Sequence, residues 1–232
     1  MPHSWPTCFL VFLALISFSG CQSAVTEPAP SDYTYFPLEA GQYSIYNVQE
    51  NVYPRRAAST QQNYQIKEVV GDPYINVTGQ TAHRLIRYRR SIDSQPWQAD
   101  SVWSARIVMN EAIRTENGQD FVSLLFPVRN GLSWNGNRYN TGGQDEYELR
   151  NAGQPFRVLE KSFDETVTVV AQDDSTLVSQ EKRMAVYARQ VGLIYKERTY
   201  YQFCTNSPGC IGKNQIDYGI QQVYRIQTYG KE

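Results

Sequence analysis

An antiparallel all-β fold is predicted by three features of the chain. Apolar and polar residues alternate with period two in segment after segment, Asn-Gly and related turn pairs fall between those segments, and no segment sustains a 3.6-residue apolar period. The near-continuous succession of strand and turn favours a single meander forming a bent, partly closed, barrel-like sheet, with a β-sandwich as the alternative. The 17 tyrosines point the same way, because an aromatic ring suits a pleated, half-buried surface.

The clearest strand runs from Phe163 to Val169, with Phe163, Val167 and Val169 on one face and Asp164, Thr166 and Thr168 on the other. Residues 193–201 place Leu193, Tyr195 and Tyr201 opposite Lys196 and Arg198. Near the C-terminus, Ile220, Tyr224 and Ile226 alternate with Gln221, Arg225 and Gln227. Less regular strands are expected over 42–52, 63–70, 82–91, 101–109 and 121–126. Turns are expected at Gly71-Asp72-Pro73, Asn117-Gly118, Asn135-Gly136 and Asn151-Ala152-Gly153; Asn117-Gly118 is the strongest hairpin pair. One short helix is expected within Asp174–Arg183.

The N-terminus reads differently. A short apolar run from Phe9 to Phe18 closes on Ser19-Gly20-Cys21. It is about half the roughly 20 residues a membrane-spanning helix needs, and the small residues before the cysteine are a processing signature. The segment resembles the signal sequence and lipobox of a bacterial lipoprotein, although no Lys or Arg precedes the apolar run. That resemblance implies a signal peptide over 1–20, cleavage before Cys21 and lipid on Cys21, so that the membrane is reached through the N-terminal lipid. Ordinary signal cleavage without lipid is the alternative. Gln22 is not the aspartate associated with inner-membrane retention, which favours the outer membrane, on a periplasmic or surface face that the sequence leaves open. Residues 22–34, rich in proline and small polar side chains, read as a flexible tether, and 35–232 as one β domain.

The mature chain is nearly neutral, with 22 basic and 23 acidic side chains, so no nucleic-acid partner is expected. Two cysteines remain after Cys8 leaves with the leader and Cys21 takes lipid. Cys204 and Cys210 flank the turn-rich Thr205-Asn206-Ser207-Pro208-Gly209. In an oxidising compartment a disulfide is expected between them. A zinc site would need further ligands, and His83 is the only mature histidine. No metal and no cofactor are expected.

Four segments together resemble envelope lipoproteins of the Bacteroidota whose function is unassigned. They are Tyr35-Phe36-Pro37-Leu38-Glu39-Ala40-Gly41, Trp134-Asn135-Gly136-Asn137, Val191-Gly192-Leu193-Ile194-Tyr195-Lys196-Glu197, and the Cys204/Cys210 pair followed by Ile216-Asp217-Tyr218-Gly219. The resemblance implies envelope location and an all-β fold, and it carries no catalytic residues. In the opening segment, Phe36 and Leu38 are expected to seal one end of the core.

No catalytic residue is assigned. There is no Gly-x-Ser-x-Gly elbow to pair with His83 and no phosphate-binding glycine loop. Asp145, Glu146 and Glu148 are the carboxylates for an alternative reading as an envelope hydrolase. Arg84, Arg87, Arg89 and Arg90 are dense, but alternation splits them between two faces, and they are expected on a solvated strand flank. The candidate binding residues are Trp134, Asn135, Asn137 and Tyr139, where two aromatics join several amides. The leading function is therefore a membrane-anchored, non-catalytic envelope lipoprotein that binds an envelope protein, glycan or lipid. The competing reading of the loop is that its rings cap the sheet.

Overall fold

The computed structural model describes residues 1–3 and 32–232. Most of the leader, Cys21 and most of the expected tether lie outside the described residues. The 3-10 turn Asp32–Tyr35 overlaps the last residues of the stretch expected to be tether.

Twelve strands follow: β1 (Gln42–Tyr53), β2 (Thr60–Ile75), β3 (Thr81–Arg90), β4 (Gln98–Val108), β5 (Glu111–Glu116), β6 (Gln119–Leu125), β7 (Ser133–Asn135), β8 (Glu146–Val158), β9 (Lys161–Ser175), β10 (Ser179–Ala188), β11 (Gly192–Phe203) and β12 (Ile216–Lys231). They form one antiparallel sheet in the order β6-β5-β4-β3-β2-β1-β12-β11-β10-β9-β8-β7. The predicted meander is present, and the sheet closes almost completely into a barrel. The first and last strands pair at its centre, with Gln42 opposite Lys231 and Tyr53 opposite Gly219.

Three local expectations change. The turn expected at Asn151-Ala152-Gly153 is a bend within β8, where the register with β9 shifts between Arg150 and Gln154. Asp174–Arg183 holds no helix: it ends β9, turns at Thr176–Ser179 and enters β10. Thr176 Oγ1 accepts from the amides of Val178 and Ser179, and pairing with β9 and β11 on both sides overrides helix propensity. Gly71-Asp72-Pro73 is not a turn between strands but an irregularity within β2, where the register with β3 shifts between Val70 and Pro73. Asn117-Gly118 does join β5 to β6, with φ of 52° and 79° as a two-residue hairpin of the primed type requires.

The open edges meet at β6 and β7. Trp134 Nε1 donates to Val122 O at 2.8 Å, Val122 N donates to Gly136 O at 2.9 Å, and Asn140 Nδ2 donates to Asp120 O at 2.8 Å. Only glycine fits at 136, because a Cβ there would lie 2.5 Å from the Tyr147 ring. The tip of the β8–β9 hairpin lies across the outside of the barrel. Phe156 contacts Tyr195 of β11 at 5.7 Å, and Phe163 reaches Tyr229 of β12 at 6.2 Å, although other strands separate these pairs in the sheet. Thr166, expected on a solvated face, is buried in consequence and donates to Gln154 O.

One end of the barrel is plugged. Tyr35 and Phe36 are buried, Leu38 packs beside them, and Tyr33 meets Phe126 edge-on at 4.7 Å. The expected sealing role of Phe36 and Leu38 is met at this end. Both termini of the barrel lie here too, since Glu232 N donates to Gly41 O. At the opposite end the β11–β12 connection carries the Cys204–Cys210 disulfide, with a Cα–Cα distance of 5.7 Å. Among the described residues no helix is long and apolar enough to cross a membrane.

A candidate ligand cavity with a charged floor

Inside the barrel, between the plug and the opposite end, lies a cavity of about 510 Å³. Its walls include the apolar and aromatic side chains of Ile66, Phe121, Tyr147, Val169, Leu193 and Tyr224, with Glu181, Arg183, Glu197 and Arg198 among the charged ones. Its floor is charged. Glu68 of β2 receives two hydrogen bonds from Arg114 of β5, Nη1 to Oε1 at 3.0 Å and Nη2 to Oε2 at 2.7 Å. Arg87 of β3 places Nε 3.6 Å from Glu68 Oε2 and Nη1 3.4 Å from Asp100. Arg114 Nε also donates to Glu116 at 3.1 Å, and Lys196 stands 3.8 Å from the same carboxylate.

Strand register puts Glu68 and Arg87 at one level, and side-chain reach brings Arg114, Glu116 and Lys196 to them. Glu68 and Arg87 are cross-strand partners, and the next inward pair toward the plug is Val70 and Leu85, which belong to the plugged core. Trp103 of β4 lies opposite Leu85, and the Arg87 guanidinium stacks on its ring at 3.7 Å. Charge on inward strand positions is tolerated because each group has an opposite partner within reach.

The electrostatics follow from this packing. Burial lowers the basicity of Arg114, but Glu68 more than reverses that and holds the guanidinium well above its ordinary range. Burial would raise the Glu116 carboxyl; Lys196 and Arg114 outweigh it and hold the group below its ordinary value. Burial raises the phenols of Tyr46, Tyr187 and Tyr224, and it pushes Tyr147 up to about 12, so these hydroxyls stay neutral at physiological pH. Because the folded-state value of Glu116 lies below its unfolded value, the unfolded chain takes up the proton first. The stabilisation from this group is present above the ordinary glutamate value of 4.5 and is lost as pH falls through the folded-state value. Urea unfolding should therefore show stability falling below about pH 5, and Glu116→Gln should flatten that slope; an unchanged slope would contradict the assigned pairing.

The residues singled out from sequence lie elsewhere. Trp134 is 4% exposed and forms part of the β6–β7 seam. Asn135 Oδ1 accepts from the amides of Asn137 and Asp145, and Asn137 Oδ1 accepts from Asn140 Nδ2. Tyr139 is half exposed, and its hydroxyl donates to Glu111 at 2.7 Å. These side chains serve the closure of the barrel rather than a shared exposed platform. Asp145 is held by two 2.7 Å bonds from Arg183, and Glu148 pairs with Arg150, so the proposed carboxylates are not gathered around one vacant site. His83 Nδ1 lies 3.1 Å from Gly71 O. Among the described residues no group of three or more potential metal ligands occurs.

The expected solvated flank needs correction at Arg87. Alternation does divide the arginine cluster, but Arg87 is 6% exposed and faces the cavity. Glu68, Trp103, Arg114, Glu116 and Lys196 were not singled out from sequence. Their signal is faint: a charged residue that shares the inward period-two register with apolar neighbours, as in Ile66-x-Glu68-x-Val70 and Leu85-x-Arg87. Compared with known proteins, the chain matches no family model, no curated protein and no solved structure.

Proposed function

We propose that the chain is a membrane-anchored, non-catalytic envelope lipoprotein whose barrel holds a small envelope ligand. The carrying observation is the cavity of about 510 Å³, within the range of roughly 300–1,000 Å³ that small-molecule sites occupy. Its walls combine aromatic and apolar surface with many charged side chains, a more polar lining than most small-molecule sites have. Burial of Trp134 favours the barrel interior over the Trp134–Tyr139 loop as the binding region. The lowered Glu116 carboxyl and the tight Asp145–Arg183 pair support binding over acid–base chemistry, because a glycosidase-type pair needs one carboxyl held protonated.

The test begins with protein purified from the envelope, denatured, and its released small molecules read by mass spectrometry. Ala171 lines the cavity, so Ala171→Trp should fill the space and abolish the co-purifying species while the variant still folds. Equal recovery from wild type and variant would overturn the reading. The anchor is tested separately. Cys21→Ala should abolish lipid labelling and move the protein to the soluble fraction, and unchanged fractionation would refute it.

A further inference from the structure

The floor of the cavity holds buried donors that make no hydrogen bond. Among the described residues three buried side-chain polar atoms have no hydrogen-bond partner: Arg87 Nε, Trp103 Nε1 and Gln42 Oε1. The first two are donors and belong to residues that line the main cavity; Gln42 lies toward the plug. Arg87 is itself more than nine-tenths buried. Its nearest carboxylate, Glu68, is already engaged by both terminal nitrogens of Arg114 and stands 3.6 Å from Arg87 Nε, beyond good hydrogen-bond range. Asp100 lies 3.4 Å from Nη1, not Nε. A buried donor left unmatched is costly, and one belonging to a guanidinium is best matched by an anionic oxygen.

Beside this floor the wall carries apolar and aromatic surface at Ile66, Phe121, Val169 and Tyr224, along with the charged side chains of Glu181, Arg183, Glu197 and Arg198. A molecule satisfying both the unmatched donors and the apolar surface has an acidic oxygen group at one end and an apolar body at the other. We infer that the cavity takes an anionic amphiphile, a carboxylate or phosphate on a single apolar body, bound headgroup inward at Arg87 and Trp103. The inference rests on the ligand-binding reading of the same cavity. Arg87 Nε and Trp103 Nε1 are almost wholly covered, so a headgroup oxygen accepting from either requires the side chains over them to shift, while both Glu68 oxygens stay engaged by Arg114. The plug beneath, from Phe36 to Leu38, closes the path beyond the headgroup.

The test uses displacement of an uncharged fluorescent probe, N-phenyl-1-naphthylamine, from the purified domain. The competitors are dodecanoate, dodecyl phosphate, dodecanol and dodecyltrimethylammonium, all below their micelle concentrations. One or both anions should compete about tenfold or more better than the alcohol, and the cation worst. Comparing the two anions tells a carboxylate from a phosphate headgroup. Arg87→Met should remove the anion's advantage and leave dodecanol unaffected; Glu68 keeps Arg114 in this variant, so its carboxylate is not stranded. If Arg87→Met does not fold, Trp103→Phe carries the test: it keeps a ring, deletes the indole N–H, and should weaken the anions about threefold or more with no change for the alcohol. Equal competition by anion and alcohol, or equal loss in either variant, overturns the headgroup assignment and leaves the ligand-binding reading standing. Failure of the probe to bind wild type, or binding that Ala171→Trp does not reduce, overturns both.

Discussion

Trp134→Ala is expected to cost about 3–5 kcal/mol of stability, the range for truncating a large buried aromatic. The indole is 4% exposed, meets Tyr147 at 5.8 Å and donates to Val122 O across the gap between the edge strands β6 and β7. Truncation therefore removes packing and leaves the Val122 carbonyl without that donor. The next connections along the seam, from Val122 N to Gly136 O and from Asn140 Nδ2 to Asp120 O, should loosen with it. Trp134→Phe should recover part of the packing but not the hydrogen bond, and fall between wild type and alanine. Urea unfolding followed by near-ultraviolet dichroism reads the effect. A loss below about 1 kcal/mol would place Trp134 outside the cooperative core.

Glu68→Leu should be comparably damaging, at about 3–5 kcal/mol, because it strands buried cations. The Arg87 and Arg114 side chains are 7% and 11% exposed, and Glu68 is the carboxylate they share. Arg114 would keep Glu116 as its carboxylate, and Arg87 would keep Asp100, the Ser101 hydroxyl and the Trp103 face. The informative comparison is Glu68→Leu combined with Arg114→Met. Removing anion and cation together should destabilise less than the single Glu68→Leu change, since neither charge is then left unpaired. If the double variant instead shows the sum of the two single losses, the pair is not energetically coupled.

Much of the barrel was legible because period two survives wherever one face is apolar. The segments around Phe163–Val169 and Leu193–Tyr201 fall inside β9 and β11, and Asn117-Gly118 joins β5 to β6 as a hairpin pair should. The elements that escaped are those whose pattern is broken by local demands. In β8 the bend at Asn151–Gly153, with positive φ at both ends, breaks the alternation. In β10, Glu181, Lys182 and Arg183 obscure it, and pairing on both sides supplies what local propensity does not. The binding site was less legible for a related reason. Sequence shows a charge on a strand, but whether that charge is solvated depends on strands far along the chain. Glu68 and Arg114 meet 46 residues apart, and Lys196 approaches Glu116 from the other half of the sheet. Trp134 stood out because tryptophan beside amides suits a ligand as well as a seam, and only closure of the barrel distinguishes the two.

The central pairing of β1 with β12 has a kinetic consequence. Every other ladder joins strands adjacent in sequence, so β1–β6 and β7–β12 can each grow as a series of local hairpins. Their union depends on long-range pairings such as that of Asn51 with Gln221, 170 residues apart. Closing so long a loop costs entropy before contacts repay it, and such non-local pairing is characteristically slow. A chain emerging N-terminus first thus completes β1 long before its partner exists, leaving a twelve-residue strand edge open until β12 has been made. Refolding is expected to be limited by this single docking step. A chain shortened by its last strand would expose not one edge but two, β1 and β11, in the middle of the sheet.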